Sequence, residues 1–288
     1  MNTTRSYRVD RLYIVYCKVL PRHRRHDGPV TSFDTRIRYV RSLGLVCVLL
    51  LLVSGLGWGA CERFASNPST DSTGVYSYAS SQNPGGTGKF YMGREIAAIT
   101  SHDLGAIWLE RPGREAAEFP TRVVEALDLL PDEVVADIGA GTGYFTFKIA
   151  PLVPEGKVLA VDIQPEMLDQ IRARMVADSL VNVEPILGTV DNPNLPADSV
   201  DVALIVASYH QFSHPHEMMQ NIVAALKPGG RLVLVEYRGE DSTISVDPLL
   251  KMTEAQARKE MARHGLVWRQ TKDFLPQQHF MVFEKPTG

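Results

Sequence analysis

The sequence predicts an α/β fold built on an open, mostly parallel sheet, and three observations carry that prediction. Short apolar runs at Val134–Ile138 and Lys157–Asp162 each end on or near an aspartate, as buried parallel strands do when they run into a ligand-facing edge. Between them Gly139, Gly141 and Gly143 alternate with Ala140 and Thr142, and the apolar stretch 144–152 that follows is long enough to begin a helix. From there to the C terminus, strand-like runs alternate with helical patterns, the rhythm of βα units.

From the N terminus, the first 41 residues form a basic leader. They hold ten of the 30 Lys and Arg against only Asp10, Asp27 and Asp34. Residues 42–60 carry no charge. With Arg36, Arg38 and Arg41 on one flank and Gly59 and Ala60 on the other, this stretch has the parts of a signal peptide, and at 18 residues 43–60 is also just long enough to be an uncleaved membrane anchor. The basic excess on the N-terminal side leaves the domain outside the cytoplasm by either route. Cys61 follows at once, so the site resembles a bacterial lipobox, with Trp58 where Leu is usual. That resemblance implies lipidation at Cys61 and a place in the periplasm or cell envelope.

From Cys61 onward 20 basic residues face 30 acidic ones, a formal charge of −10 that counts against a nucleic-acid partner. Cys17, Cys47 and Cys61 all lie in the leader or at its end, which excludes a disulfide, a Cys-ligated zinc or a cysteine nucleophile in the domain. Residues 61–89, rich in Ser, Gly, Asn, Thr and Pro, predict a flexible linker, and the folded domain is expected over 90–288.

Within 91–118, Ser101 or Asp103 caps one short helix and Pro112-Gly113 ends it. Residues 120–130 place Val123, Val124, Ala126, Leu127, Leu129 and Leu130 on a helical face. Beyond the glycines and the second strand, 166–177 reads as a helix and 181–187 as a third strand. The almost wholly apolar 199–207 is a fourth and central strand. It leads into the loop Ser208-Tyr209-His210-Gln211-Phe212, then a helix over 215–226, a turn Lys-Pro-Gly-Gly-Arg at 227–231 and a strand at 232–237. Thr253 and Gln256 form a capping box for a helix ending near His264, with Gly265 as its stop. A hairpin of 267–274 with 279–284 brings the count to seven strands.

A dinucleotide site is disfavoured by spacing, because the third glycine of G-x-G-x-x-G would fall at Tyr144 or Thr146. The D-x-G-x-G-x-G that begins at Asp137 instead resembles the first motif of class I S-adenosylmethionine (SAM) methyltransferases of the UbiE-like kind. The likeness extends over 120–286 through Leu-Lys-Pro-Gly-Gly-Arg-Leu at 226–232. It implies a Rossmann-like seven-stranded sheet of order 3-2-1-4-5-7-6, helices on both faces, an N-terminal helical lid, and SAM as cofactor.

On this reading Asp137, Gly139, Ala140, Gly141 and Gly143 take the methionine tail. Asp162, 19 residues after Gly143, accepts the ribose hydroxyls. Ile163 lies against adenine, Thr189 and Val190 stand where the family places its adenine contacts, and Ala207 closes the cofactor set at the end of the fourth strand. The lid would bring Tyr91, His102, Trp108 and Glu110 to the substrate. On the loop after the fourth strand, His210 is the candidate general base and Tyr209 the residue that orients the acceptor, or either simply bonds within the loop. A metal held by His210, His214 and His216 is disfavoured, since Pro215 breaks both helical and extended ligand spacings. The expected partner is a small-molecule or lipid-like acceptor, with the membrane met through the N-terminal segment. An exported SAM-binding module without catalysis is the competing reading, and the oligomeric state stays open.

Overall fold

A small antiparallel sheet precedes the predicted domain. The computed structural model describes residues 69–81 and 83–288, so the basic leader, the uncharged stretch 42–60 and Cys61 lie outside the described residues. Strands β1 (Ser69–Thr70), β2 (Tyr76–Tyr78), β3 (Gly86–Tyr91) and β4 (Arg94–Ala97) pair in that order. The expected flexible linker 61–89 is therefore corrected over most of its described length. Its bulk composition is that of a tether, but the polar residues gather in turns while Tyr76 and Tyr91 fall at strand positions. There they bury with Ile96 in a small core, their rings 5.7 Å apart. The Asp71 carboxylate closes the first turn by accepting from the Val75 and Tyr76 N–H groups.

Three short helices follow, α1 (His102–Leu109), α2 (Arg114–Glu118) and α3 (Pro120–Glu125). The predicted helix over 120–130 thus stops early, its last residues turning ahead of Pro131. The large sheet then builds from β5 (Val134–Ile138), α4 (Thr146–Ile149), β6 (Lys157–Asp162), α5 (Pro165–Asp178), β7 (Val183–Leu187), β8 (Val200–Val206) and α6 (Pro215–Ala225). It is completed by β9 (Leu226–Arg238), β10 (Lys251–Met252), α7 (Glu254–Ala262), β11 (Val267–Lys272) and β12 (Gln278–Glu284). Helix α4 is shorter than the apolar stretch 144–152, because Pro151 tightens its end into a 3₁₀ turn. Lys227 to Arg231, expected as a turn, instead runs inside β9 across a register shift against β8. Thr253 caps α7 through the Gln256 N–H at 3.1 Å.

Across the sheet the order is β7-β6-β5-β8-β9-β12-β11, which reads 3-2-1-4-5-7-6 when β5 is counted as the first strand. The two-residue β10 adds an eighth strand alongside the end of β9. The first five of these strands are parallel, and β12 alone is reversed, antiparallel to both of its neighbours, β9 and β11. Both faces are covered. Val135, Val158, Val202 and Val233 pack on α3, α4 and α5, while Ala136, Leu159, Ala203 and Leu234 pack on α6 and α7, which is why the strand sequences are apolar throughout rather than alternating. The chain reverses its direction of growth between β5 and β8, so the ligand crevice belongs at the carboxyl ends of these two strands.

Candidate functional site

That crevice holds the glycine turn. Gly139, Gly141 and Gly143 have φ of +76°, +56° and +83°, backbone that L residues rarely adopt. Space forbids side chains as well: a Cβ on Gly139 would lie 2.8 Å from the Ser208 hydroxyl, and one on Gly141 2.3 Å from a Leu109 methyl. The turn is thus wedged between the loop after β8 and the end of α1. The N–H groups of Gly139 and Ala140 both donate to the Val161 carbonyl at 2.8 and 2.9 Å, and the Gly143 N–H donates to the Ala140 carbonyl. These donors, expected for a cofactor carboxylate, are spent within the chain, so the glycines contribute shape and clearance.

Asp137 and Asp162 flank the turn. In the β5–β6 register Asp137 pairs with Ala160, so Asp162, two residues on, leaves the same face of the sheet with its Cα roughly 8 Å away by strand spacing and rise. Asp162 Oδ2 accepts from the Gly141 N–H at 2.8 Å and Oδ1 from the Gln164 N–H at 2.9 Å. Each oxygen keeps a further lone pair for a hydroxyl. Burial raises the pKa of Asp162 despite these donors. Asp137 is the more enclosed: burial pushes it up to about 6, against the pull of Thr146, whose hydroxyl donates to Oδ2 at 2.7 Å. Thr146 opens α4, so the same acid that faces the turn also anchors the helix leaving it.

The remaining cofactor candidates lie around these two acids. Ile163 is half-buried directly after Asp162. Thr189 and Val190 stand in an exposed turn, with the Thr189 hydroxyl bonded to Asp191 at 2.5 Å and the neighbouring Gly188 N–H tied to the Asp162 carbonyl at 2.9 Å. Ala207 takes φ +47° where β8 ends, an uncommon conformation for alanine that turns the chain into the next loop.

The catalytic and substrate candidates fare differently. Tyr209 and His210 are both buried, with their polar atoms engaged within the chain. The Tyr209 hydroxyl donates to Glu260 at 2.8 Å, and burial beside that carboxylate holds it protonated, with a pKa well above the usual value. His210 Nδ1 lies 2.8 Å from Glu236, and its Nε2 is 3.1 Å from the Gln211 amide. The cause is Glu236, a fully buried acid in β9 that gathers the imidazole and the N–H of Tyr209 and so fixes the loop. Tyr91 is buried in β3, its hydroxyl 3.1 Å from His264 Nε2 and 3.5 Å from His216 Nδ1. His102 sits half-exposed at the start of α1 beside Asp103, and Trp108 is exposed under the Arg111 guanidinium. Glu110 accepts from the hydroxyl of Thr142, in the glycine turn, at 2.6 Å.

Several residues at the site were not foreseen. The Thr100 N–H donates to Gln211 Oε1 at 2.7 Å and its carbonyl accepts from Gln164 Nε2 at 3.3 Å, so the strap before α1 spans the ends of β6 and β8. Arg114, almost fully buried, bonds Glu118 and the Leu109 carbonyl and lies over the Tyr144 ring at 4.2 Å, bracing the lid. Arg94 donates to both Glu260 oxygens, at 2.8 and 3.0 Å, and to the His210 carbonyl. Glu236 was legible as a lone charge in an apolar strand; Arg94 and Glu260, far apart in sequence, left no local signal.

A parallel sheet of this order, with a glycine turn between two strand-end acids at its point of reversal, defines the class I SAM-dependent methyltransferase domain. Residues 135–230 match the methyltransferase domain family. Among relatives, an uncharacterized methyltransferase of Mycobacterium tuberculosis is 40% identical over 120 residues, covering 40% of this chain and 46% of its own. The ubiquinone/menaquinone biosynthesis C-methyltransferase UbiE of Ectopseudomonas mendocina is 31% identical over 116 residues, covering 40% and 45%. The chain spans about half the length of the curated relatives it matches. The solved structure of a SAM-dependent methyltransferase from Aquifex aeolicus shares the fold with a TM-score of 0.60 at 20% identity, over 65% of this chain and 99% of its own. That of the cyclase SpnF does so at 0.53 and 14%, over 66% and 98%. Residues 135–230 thus match a methyltransferase domain, the fold is the one SAM-dependent methyltransferases share, and SAM is the cofactor of that class.

Proposed function

We propose that this protein transfers a methyl group from SAM to a small-molecule or lipid-like acceptor, and that it works outside the cytoplasm, held at the membrane or in the cell envelope through its N-terminal segment. One observation carries the reading: Asp137 and Asp162 leave the same face of adjacent strands and bracket a turn in which Gly139 and Gly141 have no room for a side chain. SAM supplies an activated methyl on a sulfonium, so the chain has only to bind, orient and exclude water. Asp162 holds the ribose through the lone pairs its two backbone donors leave free. Asp137 sets a negative charge beside the turn for the ammonium of the methionine tail, and Ile163 and Val190 flank the adenine. Leu109 and Glu110 cover the turn from above and keep water out. The loop 208–212, held from behind by Glu236 and Glu260, forms the wall against which the acceptor is aligned.

Calorimetry on the full chain tests this with SAM and then NADH. SAM is expected to bind and NADH not. Asp162→Asn loses one of two charge-assisted contacts to the ribose and weakens SAM binding by roughly 10- to 100-fold, with the circular dichroism unchanged. A wild-type chain that ignores SAM overturns the proposal. A second reading, a SAM-binding module without methyl transfer, draws on the burial of Tyr209 and His210, which takes the two titratable side chains of that loop away from the acceptor. Acceptor-dependent accumulation of S-adenosylhomocysteine decides between the two.

A further inference from the structure

Helix α1 is apolar on both sides, yet it lies on the surface. Its eight residues, His-Asp-Leu-Gly-Ala-Ile-Trp-Leu, include one formally charged side chain, Asp103, and none of the eight is buried. One side, Gly105 and Leu109, rests on the domain: a Cβ on Gly105 would come within 3.0 Å of Met167, and Leu109 lies against Gly141. At 100° per residue, Ile107 points away from that side and Leu104 and Trp108 flank it, and Leu104, Ile107 and Trp108 are 60, 68 and 47% exposed. Ile99, just ahead of the helix, is 44% exposed. Three large apolar side chains at i, i+3 and i+4 form a continuous exposed stripe rather than scattered exposure.

We infer that this outer face of α1 seats on a lipid bilayer. The sequence upstream specifies the occupant. The uncharged stretch 43–60 has the length to span a bilayer, and only eight residues separate it from β1, a reach of roughly 29 Å at full extension, less than the diameter of a domain of this size. A domain held that close to a bilayer with an apolar helix outward has its partner at hand. Trp108 suits the boundary, an apolar body whose ring the Arg111 guanidinium covers at 3.8 Å. The charge of −10 from Cys61 onward selects a zwitterionic over an anionic surface. Because α1 also covers the glycine turn, seating it places the crevice next to the lipid. The inference concerns a surface and stands whether or not the domain transfers methyl groups.

The test uses the full chain on phosphatidylcholine vesicles, with and without bromine on the acyl chains. Trp108 emission is obtained as wild type minus Trp108→Phe. Brominated lipid is expected to quench that signal, and Leu104→Ser with Ile107→Ser to abolish the quenching while the chain still sediments with the vesicles. Both substitutions lie at exposed positions, and quenching in the wild type stands as evidence without them. Unquenched Trp108 emission overturns the inference, whether the face is in water or covered by a second copy, the latter shown by a concentration-dependent dimer in ultracentrifugation. Failure of the full chain to sediment with vesicles overturns it equally.

Discussion

Arg94→Ala is expected to destabilise the whole domain, not merely its N-terminal edge. Glu260 is fully buried, and the Arg94 guanidinium, itself 10% exposed, meets it with two hydrogen bonds. Removing one partner of such a pair costs about 3–5 kcal/mol, since the other charge stays in the interior unpaired. Glu260 would keep two donors, the Tyr209 hydroxyl and the Gln256 amide, each at 2.8 Å, which puts the loss near the lower end at about 3 kcal/mol. Against a typical domain stability of about 5–15 kcal/mol this is a large fraction. Adding Glu260→Gln removes the stranded charge and should restore about 1–2 kcal/mol. Urea unfolding followed by circular dichroism and by tryptophan emission measures both variants. The reasoning is refuted by a loss under about 1 kcal/mol, or by a separate early transition for residues 69–97 in the wild type, either of which would make the small sheet an appendage.

Asp137 makes a pH-dependent prediction. Its folded pKa of about 6 lies above the ordinary 3.8, so the folded state binds the extra proton and the ionised carboxylate costs stability above pH 6, a cost relieved as pH falls toward 4. Asp137→Asn should therefore compare more favourably with wild type at pH 8 than at pH 4, by at most about 3 kcal/mol in urea midpoints analysed at both; equal differences would count against it. In the same window wild-type affinity for SAM should fall below pH 6, because the ammonium loses its counter-charge, and the Asn variant should show no such fall in calorimetry. Gly141→Ala places alanine at φ +56° and costs about 1–2 kcal/mol, and the Leu109 methyl it displaces should raise hydrogen exchange across α1; unchanged exchange at 102–109 would show that the lid does not rest on the turn. Thr253→Ala removes the cap on α7 and lowers stability by about 1 kcal/mol, read as a shift in thermal midpoint.

The parts of the fold that could be read from sequence are those set by local pattern. Parallel strands buried on both faces give unbroken apolar runs, so β5, β6, β8 and the core of β9 announced themselves, as did the Thr253 cap and the hairpin of β11 and β12. The small N-terminal sheet was hidden because the polar residues averaged over 61–89 outweigh Tyr76, while its core partners Tyr91 and Ile96 lie beyond that stretch. A window that scores composition cannot see that Tyr76 and Tyr91 are directly paired across two strands. The glycine turn was legible in its shape and not in its donors, since whether an N–H is free depends on where the Val161 carbonyl falls, on another strand.

The buried acids of this domain are of two kinds, and the donors each one recruits separate a structural acid from a binding one. Each buried carboxylate in this domain draws in donors from whatever element lies next to it, because an ionised group without them is too costly to keep inside. Glu236 gathers an imidazole and the Tyr209 N–H; Glu260 gathers a guanidinium, a phenol and an amide; Glu118 gathers Arg111, Arg114 and Tyr237. Such acids have little left to offer a ligand, and the side chains they recruit, Tyr209 and His210 among them, are held in place by these bonds. Asp162 differs in kind. It meets one backbone N–H per oxygen, stands at a strand end beside glycines that admit no side chain, and recruits no side chain of its own. Spare acceptor capacity facing a turn shaped for close approach is what a bound sugar requires, and by that measure Asp162, rather than the histidine after the fourth strand, is where mutation should speak most directly to function.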